Sequence, residues 1–417
     1  MHVLIVQRSN TVIIYVEQFI HLIFDSYHIN KEALRERAYN MRWAELDKSI
    51  IPLTSADSDF PCAPQIIDAI KSYSNVGYFN YGPTEGLPVL KKSLSDYMFQ
   101  YRNVKMEPKN ILPVNSAAFG IYNVCKALLN SGDQAIIFDP VDFLFRYAIE
   151  NVGGIAVPFS IPVGSNDIDF SALENLITNR TKLICLCNPL NPTGKVFTKK
   201  ELTSLANVAN KHGLIILSDE IWSDIVYSPN VFTSIASLDD EIKERTIIVT
   251  GFSKSYGLAG LRIGAVMTSN NSLYQKILEA SLHYSTINGV STISQIAAAT
   301  AINDCQDWLA QFLQHLTHMR TLCTEAINNI DGFSCMAPEG CFVSFVNIKQ
   351  TGLNSEELYF YLLQEAKVAV VPGMKKWFGE GAEGYIRISF ATSEDMLMQA
   401  FSNINSAMHK ISRKQLV

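Results

Sequence analysis

The chain has 417 residues, 48% of them hydrophobic, and a formal net charge of −6. That length exceeds one ordinary core and predicts two lobes, with enough apolar material to bury both. An acidic balance without a long basic run makes nucleic acid and anionic membrane poor partners, and eight scattered cysteines with no CxxC pair fit a reducing, cytoplasmic setting better than a disulfide or zinc framework.

Residues 1–40 read as an N-terminal extension that opens MHVLIVQRSNTVIIYVEQFIHLIF. Arg8, Glu17 and His21 interrupt its apolar run, which falls short of the roughly 18–20 clean residues of a membrane span. No small-residue cleavage site marks a secretory signal. An extra helix or a partner-contacting segment is expected there, or else a working chain that begins near Met41. Residues 41–75 are assigned to the N-terminal part of a small domain, 76–289 to a large domain and 290–417 to the C-terminal part of the small domain.

Inside the large domain, Ala117, Ile121, Val124, Cys125, Leu128 and Leu129 keep the spacing of an amphipathic helix that ends at Ser131-Gly132. QAIIFDP, KLICLCNP, LIILSDE and TIIVTGFSK each carry an unalternated apolar run, the mark of strands buried on both faces of a parallel sheet. Glu201, Leu202, Leu205 and Val208 predict a further helix before His212-Gly213. The alternation argues for a doubly wound α/β domain. Beyond it, a helical stretch over 294–327 precedes CFVSFVNI, VAVVPG and YIRISFA, which read as antiparallel strands of a smaller α+β lobe.

In open α/β sheets, ligands bind beyond the carboxyl ends of the strands. Those ends carry Asp139-Pro140, then Asn188 with Asn191-Pro192-Thr193-Gly194, then Asp219-Glu220, and finally Gly251, Ser253 and Lys254. Singly, each has an ordinary explanation: a strand-end Asp caps a helix, Asn-Pro-x-Gly turns the chain, and a lone lysine is solvated. Together they bring a carboxylate, an amide and an amine toward one crevice. Other motif readings fail. GLAGLRIG is not a dinucleotide fingerprint, GFSKS lacks the final glycine of a nucleophile elbow, and the eight histidines form no metal-spaced cluster, so no metal site is expected.

SADSDFPCAPQIIDAI, YGPTEGLPVL, NPLNPTG, SDEIW, TGFSKSYGLAGLRIG and YIRISFA follow one another between about Asp47 and Ser406. In that order they resemble the fold-type I pyridoxal 5′-phosphate (PLP) enzymes of the class I/II aminotransferase family. The resemblance implies the PLP-transferase fold: a mostly parallel large-domain sheet with helices on both faces, plus a smaller α+β domain. It implies PLP held as a Schiff base on Lys254, with Asp219 paired to the pyridine nitrogen and Asn191 on the phenolic oxygen. Arg387, with Asn191 beside it, would clamp the substrate carboxylate, which a planar guanidinium fits bidentately. Ser116, Ala117 and Ala118 at a helix N-terminus, together with Ser253 and Arg262, match the phosphate ligands. Tyr81 matches a tyrosine that reaches the phosphate of the neighbouring subunit, which implies a homodimer with shared active sites.

The chain also departs from that pattern. Ser116 replaces a common glycine, and Ala118 replaces a hydroxyl or amide residue. Trp222 stands where many relatives have a tyrosine, and its indole N–H donates a hydrogen bond without exchanging a proton. The residue that stacks on the ring usually stands two places after the strand-end proline. Asp142 holds that place here, and the neighbouring Phe143 is the expected stacking residue. The implied reaction is transamination between an amino acid and a 2-oxo acid, with Lys254 removing and returning the α-proton. A C–S β-lyase is the alternative, because SADSDFPCAPQIIDAI and SDEIWSDIVY also resemble cystathionine β-lyase-like enzymes. Those often lack an arginine at the Arg262 position, whereas this chain reads SKSYGLAGLR. A specialised PLP-dependent cyclase or oxidase is a further alternative. A PLP-binding DNA regulator is disfavoured, since residues 1–40 contain no basic recognition helix.

Overall fold

A computed structural model describes residues 5–8, 11–14, 24–165 and 168–414. Its central sheet has seven strands: β1 Ile111–Val114, β2 Gln134–Asp139, β3 Ile155–Ser160, β4 Thr181–Cys187, β5 Ile215–Asp219, β6 Thr246–Gly251 and β7 Gly264–Met267. The order across the sheet is β1-β7-β6-β5-β4-β2-β3. Neighbours run parallel except at β7, which is antiparallel to both β1 and β6. Successive residues of a strand point to opposite faces. Ile247, Val249 and Val266 enter one core, while Ile248, Ala265 and Met267 enter the other. Both faces are therefore apolar and covered, which is why these strands read as unbroken apolar runs.

Four helices of this half bear on the site: α1 Pro64–Val76, α2 Pro88–Arg102, α3 Ala117–Leu128 and α4 Lys199–His212. Thr198 and Glu201 form a capping box on α4, and Gly213 ends it in a left-handed conformation at φ 66°. Helix α3 lies close on the sheet: a Cβ added to Gly120 would stand 2.9 Å from Val266 Cγ2, and one on Gly264 would stand 2.7 Å from the Ala117 nitrogen. These glycines let the N-terminus of α3 rest on the sheet beside the end of β6. The helix stops at Leu128 rather than at Ser131-Gly132, because Leu129 is already extended.

In the smaller lobe, α5 Thr292–Asp304 and α6 Gln306–Asn328 replace the single helix expected over 294–327. The backbone leaves helical geometry at Cys305 because α5 lies against α1 and α2, whereas α6 packs toward the strands and helix that follow. Those are β8 Val343–Asn347, β9 Val371–Pro372, β10 Tyr385–Ser389 and α7 Glu394–Lys414. Strand β10 is antiparallel to both β8 and β9. Val368–Ala369 instead pairs parallel with Ile51–Pro52, so chain from both sides of the large sheet builds this lobe.

At the N-terminus, Ile5–Arg8 pairs antiparallel with Thr11–Ile14, which corrects the expected helix over that stretch. The rest of residues 1–23 lies outside the described residues. From Phe24 onward the chain is packed: the Phe24 ring centroid is 5.1 Å from Phe60, 5.4 Å from Trp308 and 5.3 Å from Phe312.

Candidate active site

The strand ends open onto a buried polar cluster. Strand β5 delivers Asp219, whose Oδ1 accepts the Ile221 N–H at 3.1 Å. Burial, with Asp142 and Glu220 nearby, pushes this carboxylate up to about 7. Strand β6 runs into the Gly251–Lys254 turn. Lys254 Nζ donates to the Ala56 carbonyl at 2.5 Å and stands 5.2 Å from the Trp222 ring centroid. Burial holds its amine below the usual lysine range; Asp57 and Asp142 oppose that, and Arg387 adds to it.

The loop after β4 supplies Asn191, which joins two charged groups. Its Nδ2 donates to Asp142 Oδ2 at 2.7 Å, and its Oδ1 accepts from Arg387 Nη1 at 3.1 Å. Arg387 projects from β10 and also donates through Nη2 to the Thr54 carbonyl at 3.2 Å. Its Nε is buried without a hydrogen-bond partner among the described residues. A buried, unsatisfied guanidinium donor is costly unless a ligand takes it. The structure thus brings together Lys254, Asp219, Asn191, Trp222 and Arg387, as the motifs implied, and adds Asp142, Asp57 and the Thr54 and Ala56 carbonyls.

At the start of α3, Ser116 Oγ accepts the Phe119 N–H at 3.1 Å. The Ala117 and Ala118 amides precede the first intrahelical bond, so they face outward as donors. Ser253 is half-buried. Arg262 is exposed, and its Nη1 reaches the Ala259 carbonyl at 3.4 Å. Tyr81 stands apart: it is 89% exposed and lines a surface cleft with Tyr73, Phe79 and Asn288. Phe143 does not join the cluster around Asn191; its ring lies edge-on to Trp377, with centroids 5.5 Å apart. Asp142 rather than Phe143 touches Asn191, because Phe143 already belongs to the turn that starts helix Leu144–Asn151.

A second layer holds these groups in place. Ser255 Oγ donates to Asp224 Oδ2 at 2.6 Å, and Asp224 is ion-paired with Arg102 of α2. The turn carrying Lys254 is thereby tied to a helix on its flank. Asn188 pins its own loop, donating to the Thr233 carbonyl at 3.2 Å and accepting the Phe197 N–H at 3.1 Å. The segment with Thr54, Ala56 and Asp57 is anchored by a fully buried Arg42–Asp59 ion pair, with Trp43 Nε1 donating to Asp59 at 2.5 Å. Asp139 serves the lobes instead of the cluster, accepting the Gly381 N–H at 3.1 Å.

Glu220, behind the cluster, accepts from Ser218 Oγ at 3.0 Å and Ser234 Oγ at 2.7 Å. Burial nevertheless pushes its carboxyl up to about 7. Between the ordinary carboxylate range and that value, the folded chain keeps a proton that the unfolded chain releases. Stability from this group is therefore complete at low pH and lost as pH rises through about 7. Glu220→Gln is expected to leave Tm nearly unchanged near pH 4 and to raise it by about 2–4 °C at pH 8. A thermal melt showing equal destabilisation at both values would contradict this.

The chain is similar to known proteins over most of its length. The family model described as aminotransferase class I and II matches residues 48–404. The aspartate aminotransferase of Bacillus subtilis (strain 168) is 32% identical over 387 residues, which is 91% of this chain and 96% of that protein. Among solved structures, the aromatic aminotransferase from Pyrococcus horikoshii OT3 superposes with a TM-score of 0.82 at 29% identity, covering 89% of this chain and 98% of that one. Cystalysin from Treponema denticola, which contains PLP, gives a TM-score of 0.86 over 94% of this chain and 100% of that one; at 21% identity it speaks for the fold alone.

Proposed function

The chain belongs to the class I and II aminotransferases and is a PLP-dependent enzyme that moves an amino group between an amino acid and a 2-oxo acid; we propose that Lys254, Asp219, Asn191 and Arg387 carry that reaction. The observation that supports this most strongly is the juxtaposition of a buried amine, a buried carboxylate and a guanidinium Nε without a partner.

The residues present fit the cofactor. Asp219 is a buried carboxylate near 7 that accepts a main-chain N–H, the setting that a cationic ring nitrogen would complete. Lys254 is a buried amine bonded to a main-chain carbonyl, so no carboxylate has to be displaced to free it. The Ala117 and Ala118 amides, Ser253 and the exposed Arg262 would hold the phosphate. Asn191 would contact the phenolic oxygen, with Trp222 beside it, and Phe143 would stand near the rim. When bound, PLP supplies an electron-withdrawing ring that accepts the electron pair left at the substrate's α-carbon.

The protein's own groups do the rest. Arg387 takes the substrate α-carboxylate through its free Nε edge, while Asn191 and Thr54 fix the guanidinium plane. Lys254 Nζ acts as the base. Burial and Arg387 favour its neutral form, so it takes the α-proton of the amino acid and later returns one. The half-buried turn around Ser253 and the Arg102–Asp224–Ser255 tie keep that amine in one position. Relatives named for aspartate and aromatic substrates support transamination over elimination. The test is a screen of amino acids against a 2-oxo acid acceptor. New amino acid formed only when the acceptor is present supports the reading; pyruvate and ammonia released without acceptor would overturn it.

The homodimer belongs to the same proposal. Val76, Tyr78, Phe79 and Tyr81 are exposed large hydrophobics within a six-residue stretch, and Tyr284 is exposed as well. Such a patch calls for a partner surface, and Tyr81 would reach a neighbour's phosphate from it. A cytoplasmic setting is supported by eight free cysteines; among the described residues, no helix is long and apolar enough to cross a membrane. Light scattering is expected to give twice the chain mass, and Tyr81→Phe to weaken PLP binding about tenfold. A monomer with unchanged PLP affinity in the variant would refute the shared site.

A further inference from the structure

Charge in this site is lopsided. Asp57, Asp142 and Asp219 all interact with Lys254, and Asp142 also with Arg387. On the reading above, which this inference rests on, three of these five groups are committed. Asp219 goes to the ring nitrogen, Lys254 to the cofactor and Arg387 to the substrate α-carboxylate. Asp57 and Asp142 remain. Their partners are neutral donors: Asp142 accepts from Asn191 Nδ2 at 2.7 Å and the Leu144 N–H at 3.2 Å, and Asp57 from Asn40 Nδ2 at 3.0 Å and the Ser58 N–H at 3.1 Å. In the free chain Arg387 is the main cation offsetting Asp142. A bound α-carboxylate draws on the same guanidinium and deepens the deficit.

Half-buried carboxylates in a crevice, left without a cation, are unfavourable, and a ligand that brings one relieves them. We propose that Asp142, with Asp57 near the same lysine, selects substrates whose side chain ends in a cation, an amine or a guanidinium. A dicarboxylic side chain would meet two like charges and be disfavoured. The position is the one where the family pattern puts a ring-stacking aromatic, so a carboxylate there exchanges stacking for charge recognition. The Asp142 backbone is fixed as well. Its N–H donates to the Asn191 carbonyl at 3.1 Å, which holds the aspartate beside the amide that also contacts Arg387.

The test uses the PLP-loaded enzyme without acceptor and reads dissociation constants from the change in cofactor absorbance, with calorimetry as a second readout. Near-isosteric pairs isolate the charge: lysine against norleucine, ornithine against norvaline, arginine against citrulline. At least one cationic member is expected to bind about tenfold or more tightly than its neutral counterpart, with aspartate weaker than both. Asp142→Asn is expected to weaken the cationic members more than their neutral counterparts and so reduce that preference to within about threefold. Asp57→Asn gives the same comparison if the first variant does not fold. Aspartate or the neutral members binding as tightly as every cation would overturn the inference, as would equal weakening of lysine and norleucine by Asp142→Asn. Normal PLP uptake with no cation preference sinks this inference alone. Failure of the wild-type protein to take up PLP sinks the reading beneath it as well.

Discussion

Lys254→Ala is expected to yield a folded protein that lacks the visible absorbance band of a lysine-bound cofactor and turns over at least on the order of 10⁴-fold more slowly. The size of the effect follows from the number of roles this nitrogen fills. On the proposed reading it is both the covalent anchor and the base, and the neighbouring Asp142, Asn191 and Arg387 offer a carboxylate, an amide and a guanidinium rather than a second amine. The fold has little to lose. Lys254 Nζ is bonded to the Ala56 carbonyl, and its amine is already held below the usual lysine range by burial. Removing a desolvated amine costs little, so Tm is expected to hold or rise. The Lys254 turn stays tied through Ser255 and Asp224 to Arg102. The readouts separate the outcomes: absorbance for the linkage, a melt for the fold, and a coupled assay for turnover. A variant that keeps the visible band, or turnover within tenfold of wild type, would remove Lys254 from the mechanism.

Much of this site was readable because a parallel sheet buried on both faces writes its strands as apolar runs and leaves the polar residues at their ends. Asp219, Asn191 and Lys254 each follow such a run, and the structure gathers them. Arg387 was readable for a related reason: a guanidinium between Ile386 and Ile388 in a short alternating strand has few places to go but a buried partner. What stayed hidden depends on contacts between distant parts of the chain. Asp142 meets Asn191 across 49 positions, and Thr54 meets Arg387 across 333. No local spacing encodes either pairing. The aromatic beside Asp142 was the natural stacking choice by residue type, but backbone direction at the start of helix Leu144–Asn151 turns Phe143 toward Trp377. Ser255 follows the lysine directly in sequence. Its hydroxyl ties that turn to Asp224, which is ion-paired with Arg102 from a helix more than 100 residues earlier in the chain. The break at Cys305 was invisible for the opposite reason: helix-favouring residues flank it on both sides, and only the packing of α5 and α6 on different neighbours requires it.

Asp219→Asn separates charge from shape and is expected to act oppositely on stability and on turnover. Asparagine keeps the size of the side chain and an oxygen for the Ile221 N–H, which Asp219 accepts at 3.1 Å. The end of β5 beside Cys187 of β4 should therefore be undisturbed. What disappears is a carboxylate that burial and its neighbours Asp142 and Glu220 push up to about 7. In the cofactor-free protein, the folded chain keeps a proton on Asp219 between the ordinary carboxylate range and about 7, so its contribution to stability is lost as pH rises through that window. The variant should accordingly melt closest to wild type below about pH 4 and progressively higher as pH rises to 8, there by about 2–4 °C. Turnover moves the other way. A neutral amide cannot balance a cationic ring nitrogen, and loss of one aligned electrostatic partner in a buried site lowers kcat on the order of 10²–10³-fold. The proposed phosphate contacts, at the start of α3 and at Arg262, are made by groups other than Asp219, so cofactor content should fall far less than activity. The decisive pattern is a more stable, largely PLP-loaded and nearly inactive variant at pH 8. A variant that retains more than about a tenth of wild-type kcat, less than the loss expected from one such electrostatic partner, would show that the Asp219 charge is not what makes the ring reactive, and the electrostatic core of the mechanism would have to be placed elsewhere in the cluster.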